Sequence, residues 1–196
     1  MGLLADLGIE PGQVKSSDLD DWEKSGGKLP AGVYHAELKG AAGPNDKING
    51  WKLRFVVIAG PMTGNEITET LWNPKGQDAQ RDKSSRNRQL LFASRLGLLA
   101  RDAAGNLSEV PGKSDFRDCL GATCFIDVVY PPERDTDGNV IKKPSGEPVL
   151  KQWPELAFKG LIDPADERCK DVPKRDPAAA PRAAAVRPPK DEFGDI

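Results

Sequence analysis

From Val33 to Trp72 the apolar residues fall at every second position, a pattern that suits a sheet with one packed face and does not suit an amphipathic helix. Tyr34, Ala36 and Leu38 alternate with His35, Glu37 and Lys39 in a first strand. Beyond a loop from Gly40 to Gly50, the run Trp51–Ala59 directs Trp51, Leu53, Phe55 and Val57 inward and Lys52 and Arg54 outward, a second strand. Gly60-Pro-Met-Thr-Gly64 makes a compact turn. Glu66–Trp72 then alternates again, with Ile67 and Leu71 inward and Thr68, Thr70 and Trp72 outward, so the second and third strands form a hairpin.

The period changes after Asn73-Pro74-Lys75-Gly76. Asp78 to Leu99 is expected to be a helix, basic in its first half and apolar at Leu90, Leu91, Phe92, Leu96, Leu98 and Leu99, so that it docks by its C-terminal half. Thr123–Tyr130 is a fourth strand with Cys124, Ile126, Val128 and Tyr130 on one face. Residues 131–148 hold four prolines and the acidic Glu133, Asp135 and Asp137, which predicts a long exposed loop. Val149–Ile162 is the fifth strand, with Leu150, Leu156 and Phe158 assigned to the core and Lys151, Trp153 and Lys159 to the other face. Five strands with one helix between the third and the fourth is the order of an OB-fold barrel, so the expected class is all-β with one main helix. Residues 1–29 read as a polar leader with a short helix begun by Ser17 and running through Trp22, residues 30–165 as the barrel, and residues 166–196 as a disordered tail.

Length and composition bound the rest. A chain of 196 residues buries one good core, and its 38% apolar content with 20 glycines is ordinary for a globular domain. No stretch approaches a membrane span and the start lacks a secretory pattern, so the protein is expected in the cytoplasm, away from membranes. Cys119, Cys124 and Cys169 are odd in number and have neither zinc spacing nor nearby histidines; they are expected to be buried or idle thiols. His35 is the single histidine and lies within a strand, which argues against histidine-based catalysis; no metal or cofactor is expected. The net charge of −2 hides segregation along the chain. Residues 1–31 carry three basic and six acidic side chains, whereas residues 72–101 carry seven basic and two acidic ones. Such separation suits a surface that attracts an anion on one side.

The segments LPAGVYHAELKG, INGWKLRFVVIAGPMTGNEITETLWNP and RNRQLLFASRLGLL together resemble the phage and prophage family of OB-fold single-stranded DNA-binding proteins. The resemblance covers residues 29 to about 99, and 120–162 in outline. It implies a protein without enzymatic activity that coats single strands during replication or recombination. Such proteins need a basic groove for phosphates and aromatic faces for bases, each stack contributing about 1–3 kcal/mol. By strand parity, Lys52, Arg54 and Trp72 share the face that OB folds use, followed by Lys75, Arg81, Lys83, Arg86 and Arg88 at the start of the helix; Lys142 and Lys143 of the long loop and Lys151 and Trp153 of the fifth strand complete the candidate interface. The basic helical run is more readily explained as a solvated face than as a phosphate contact, and an outward tryptophan is also explained as a cover for other elements.

Asp171–Lys190 is rich in proline, alanine and basic residues and leads to an acidic tip in which Asp191, Glu192 and Asp195 flank Phe193 and end on Ile196. The arrangement is similar to the tails of bacterial single-strand binding proteins, which implies that the tip recruits replication or recombination enzymes; it lacks the usual Pro-Phe ending. Carboxylates with two apolar side chains suit a basic pocket with an apolar floor. The residues leave open RNA as a ligand, homo-oligomer formation, and the alternative of an OB-fold adaptor in a replisome or virion that binds protein and no nucleic acid.

Overall fold

The structure is a computed structural model that describes residues 28–45 and 47–175; the leader, where a helix from Ser17 through Trp22 is expected, Asp46, and the tail with Asp191, Glu192, Phe193, Asp195 and Ile196 lie outside the described residues. In chain order the elements are β1 (Gly32–Ala42), β2 (Gly50–Val57), β3 (Glu66–Trp72), α1 (Ala79–Arg95), a small hairpin of β4 (Leu99–Arg101) and β5 (Leu107–Glu109), β6 (Thr123–Val129) and β7 (Glu155–Ile162). Five strands make one antiparallel sheet in the order β3-β2-β1-β6-β7, which curls into a half-barrel. No described β-ladder joins the two edge strands, β3 and β7, so the expected barrel is not closed by main-chain pairing.

The alternating residues of β1 to β3 lie where their period puts them. Ala36, Leu38, Leu53, Phe55, Val57, Ile67 and Leu71 are buried on the concave side with Ile126 and Val128 of β6. Phe92 of α1 sits among them, edge-on to Phe55 with ring centroids 6.4 Å apart. Asp78 caps the helix by accepting hydrogen bonds from the backbone N–H of Gln80 and Arg81. The helix ends at Arg95, short of the expected Leu99, because Leu98 and Leu99 turn back into the β4–β5 hairpin, an element the sequence pattern does not announce.

The largest departure is in the fifth strand. β7 begins at Glu155; residues 131–151 instead form a tongue of three short extended passes, bridged at Pro132–Leu150, Arg134–Val140 and Lys142–Pro148. Leu150 and Phe158, assigned to the core by alternation, are exposed. Between the pairs Val128–Leu156 and Ile126–Leu161 the ladder advances two residues on β6 and five on β7, so the strand bulges and its alternation is lost. Gly160 lies in that bulge with φ +64°, and a β-carbon there would meet Phe92 at 2.6 Å. Only glycine fits.

Residues 163–175 also differ from expectation. The segment expected to be disordered from residue 166 onward forms a strap across the convex side of β1, β6 and β7 as far as Arg175. Cys169, in a short 3-10 turn at Glu167–Cys169, is fully buried with Phe125 and Ile162. Arg168 reaches Asp127 of β6 at 2.8 Å, and Arg175 reaches Glu37 of β1 at 3.2 Å. The backbone N–H of Arg175 donates to Nδ1 of His35 at 3.1 Å. All three cysteines are buried, and burial pushes the Cys124 thiol up to about 12. No helix among the described residues is long and apolar enough to cross a membrane.

Candidate nucleic-acid interface

The strap divides the convex side of the sheet. It covers β1, β6 and β7 around His35, Glu37 and Phe125; among the described residues, this segment does not extend over the β2–β3 half, where Lys52 pairs across the ladder with Thr70, Arg54 with Thr68 and Gly50 with Trp72. Lys52, Arg54, Thr68, Thr70 and Trp72 therefore stand on one face. Lys52 is diagonal to Trp72, which in an antiparallel pair puts their Cα atoms about 7–8 Å apart.

Trp72 is 52% exposed at the end of β3, and its backbone is pinned from three sides. Gln89 of α1 donates from Nε2 to the carbonyl of Trp72 at 3.0 Å and to Oδ1 of Asn73 at 2.9 Å. Asn73 in turn bonds Asn49 through both main chain and side chain. Opposite Trp72, a β-carbon on Gly50 would stand 2.4 Å from the carbonyl oxygen of Leu71, so the missing side chain is what allows the strands to meet there. Asp82 accepts hydrogen bonds from the backbone N–H of Lys75 and Gly76, which fixes the loop that follows. The sequence pattern places Trp72 on this face; the positioning role of Gln89, seventeen residues away, it does not reveal.

The candidate cations differ in their surroundings. Arg54 lies against Gly40 of β1 and reaches Glu66 at 3.4 Å, so its charge is partly answered within the sheet. Lys75, Arg81, Lys83 and Arg86 are exposed along the loop and the first turns of α1. Arg88 is not: its guanidinium turns into the gap between the sheet edges, bonding Glu69 of β3 at 3.0 Å and the Ala157 carbonyl of β7 at 3.3 Å, between the rings of Phe92 and Phe158. That geometry makes Arg88 a brace across the open edges rather than a surface cation. Burial raises the pKa of Glu69, with Arg88 opposing the shift. On the tongue, Lys142 and Lys143 are exposed and Lys143 lies 3.9 Å from Glu147. Lys151 pairs with Glu155 at 2.6 Å, and Trp153 is 65% exposed with the ammonium of Lys28 4.7 Å from its ring centroid.

The arrangement offers an exposed aromatic face, Lys52 diagonal to it, Arg54 farther along the same strand and hydroxyls of two threonines, a set that can stack a base and contact phosphate oxygens. Among the described residues no group of three histidine, cysteine or carboxylate side chains converges as a metal site. No family model matches this sequence, and no curated protein matches it.

Proposed function

We propose that this protein binds single-stranded DNA without sequence preference on the convex β2–β3 face, as a non-enzymatic component of replication or recombination. The observation that carries the reading is Trp72: a half-exposed indole with a pinned backbone, on the same face as Lys52 and Arg54. A half-exposed indole forfeits part of the roughly 1.5–3 kcal/mol that full burial of a large apolar side chain contributes, and a stacking partner recovers it. The strand order supports an OB-type reading, since a meander of three strands followed by a helix and two further strands added beside β1 is the OB connectivity with its last pairing left open.

Titration with poly-dT, followed by tryptophan fluorescence, tests the proposal. Quenching is expected, with Trp72→Ala weakening binding about 10- to 100-fold at unchanged thermal stability. Absence of quenching together with absence of salt-sensitive binding overturns it. The same titration with RNA decides between the two nucleic acids. In this reading the acidic tip recruits partner enzymes, and a truncation that tests it must keep the strap, ending after Arg175. Retained capture of a replication or recombination enzyme by that truncated protein removes the recruiting role.

A further inference from the structure

Two aromatic side chains outside the β2–β3 face are more exposed than Trp72, and each is backed by a cation. Phe158 is 69% exposed and Trp153 is 65% exposed. The guanidinium carbon of Arg88 lies 5.8 Å from the Phe158 ring centroid, and the Lys28 ammonium 4.7 Å from that of Trp153. Exposure alone says little about single residues. Here the exposure has a built cause, because Phe158 belongs to the bulge in which β7 advances five residues against two on β6, and Gly160 holds the bulge at φ +64°. Bulges of this kind re-aim side chains next to functional sites.

The cation behind the ring is itself held. Arg88, which backs Phe158, is itself locked by Glu69 and by the Ala157 carbonyl. A ring backed by a cation on one side and open on the other presents a free face on which a base can stack. Lys159, exposed beside Phe158, supplies positive charge near the platform. Trp153 and Phe158 are five positions apart, at most about 18 Å of extended chain, so both belong to one short edge of the molecule.

We propose that Phe158 and Trp153, backed by Arg88 and Lys28, form a second base-stacking site, on β7 and the turn before it, for the same single strand that binds at Trp72. The inference rests on the single-strand reading above, and it extends the path of the strand from the β2–β3 face to the opposite edge of the half-barrel. Among polymers, single-stranded nucleic acid fits the pairing of aromatic faces with cations because every nucleotide brings one ring and one phosphate.

Binding of labelled oligo-dT of increasing length separates the two sites. Phe158→Ala and Trp153→Ala are expected to leave affinity for the shortest bound oligomers unchanged and to lower affinity for long ones about 10-fold each. Trp72→Ala is expected to weaken both. Phe158→Leu keeps apolar bulk without a ring, and it is expected to lose as much as Phe158→Ala. Circular dichroism and melting of each variant check that the fold is kept, and Phe158→Trp, expected to restore long-oligomer affinity, separates a lost ring from a damaged bulge. If wild-type protein binds and the Phe158 and Trp153 variants match it at every length, the second site is overturned and the Trp72 site stands. Full rescue by leucine, or a loss confined to binding of a protein or of the acidic tail peptide, likewise overturns it in favour of an apolar docking patch. If wild-type protein binds no oligomer, both readings fall together.

Discussion

Arg88 stands between two rings, a carboxylate and a main-chain carbonyl, and its surroundings decide what its charge does. With the side chains of Arg88 and Glu69 about 21% and 13% exposed, removing one partner strands the other away from water. Arg88→Ala is expected to destabilise the fold by about 3 kcal/mol, whereas the paired replacement Arg88→Met with Glu69→Leu should stay within about 1 kcal/mol of wild type. Urea denaturation of the single and double variants measures both. A basic residue in a basic run reads as a surface cation, and only its partners on β3 and β7, distant in sequence, reveal a brace. Phe158 was illegible for a related reason. Alternation assigns it to the core, and the assignment fails because the bulge at Gly160 breaks the period on which it depends. Gly160→Ala combines a left-handed backbone with a β-carbon 2.6 Å from Phe92, and a loss of about 2–4 kcal/mol in the same denaturation measurement is expected.

Among the elements, β1 to β3 were readable because β2 and β3 alternate along their length, β1 alternates as far as Leu38, before its bulge, and each carries a turn or loop at its ends. The strap was not, because a proline-containing polar segment has no period, and what holds it are ion pairs to Glu37 and Asp127 and one buried thiol. Its seat includes His35, whose Nδ1 accepts the Arg175 N–H and whose ring stacks on Phe125 at 5.1 Å. Burial, then Lys174 and Arg175, lower the His35 pKa below the ordinary value of 6.5. The unfolded chain therefore takes up the proton more readily than the folded one. The corresponding stability is fully present above about pH 6.5 and is lost as pH falls through the lowered value. Glu37, bonded to Lys39 and Arg175, is the carboxylate in this seat. Melting temperature should fall on acidification below neutrality, and His35→Gln, which keeps an acceptor without titrating, should flatten the fall. Equal slopes for the two proteins would remove His35 as the cause. Hydrogen exchange in residues 163–175 locates the loosening.

At the scale of the whole molecule, a net charge of −2 coexists with Lys52 and Arg54 on one sheet face and a basic run in residues 72–101, because the charges are unevenly distributed along the chain. The predicted consequence is a salt dependence that belongs to few residues. Replacing both Lys52 and Arg54 by Gln should reduce the slope of log affinity against log salt by about 1.4, the effect of two lost phosphate contacts on a single strand. An unchanged slope would place the phosphate path elsewhere, on the exposed cations of α1 or the tongue. The order of strands and the position of the helix were legible, whereas the open edge between β3 and β7 was not, since closure depends on whether two strands distant in sequence come within pairing distance. The burial of Cys119, Cys124 and Cys169 carries a practical consequence. Thiol reagents attack the thiolate, which burial suppresses, so the folded protein should resist maleimide dyes while the unfolded one takes them up. A cysteine introduced on the tongue, as in Thr136→Cys, would then accept one fluorophore at one known place, with no need to remove the native three.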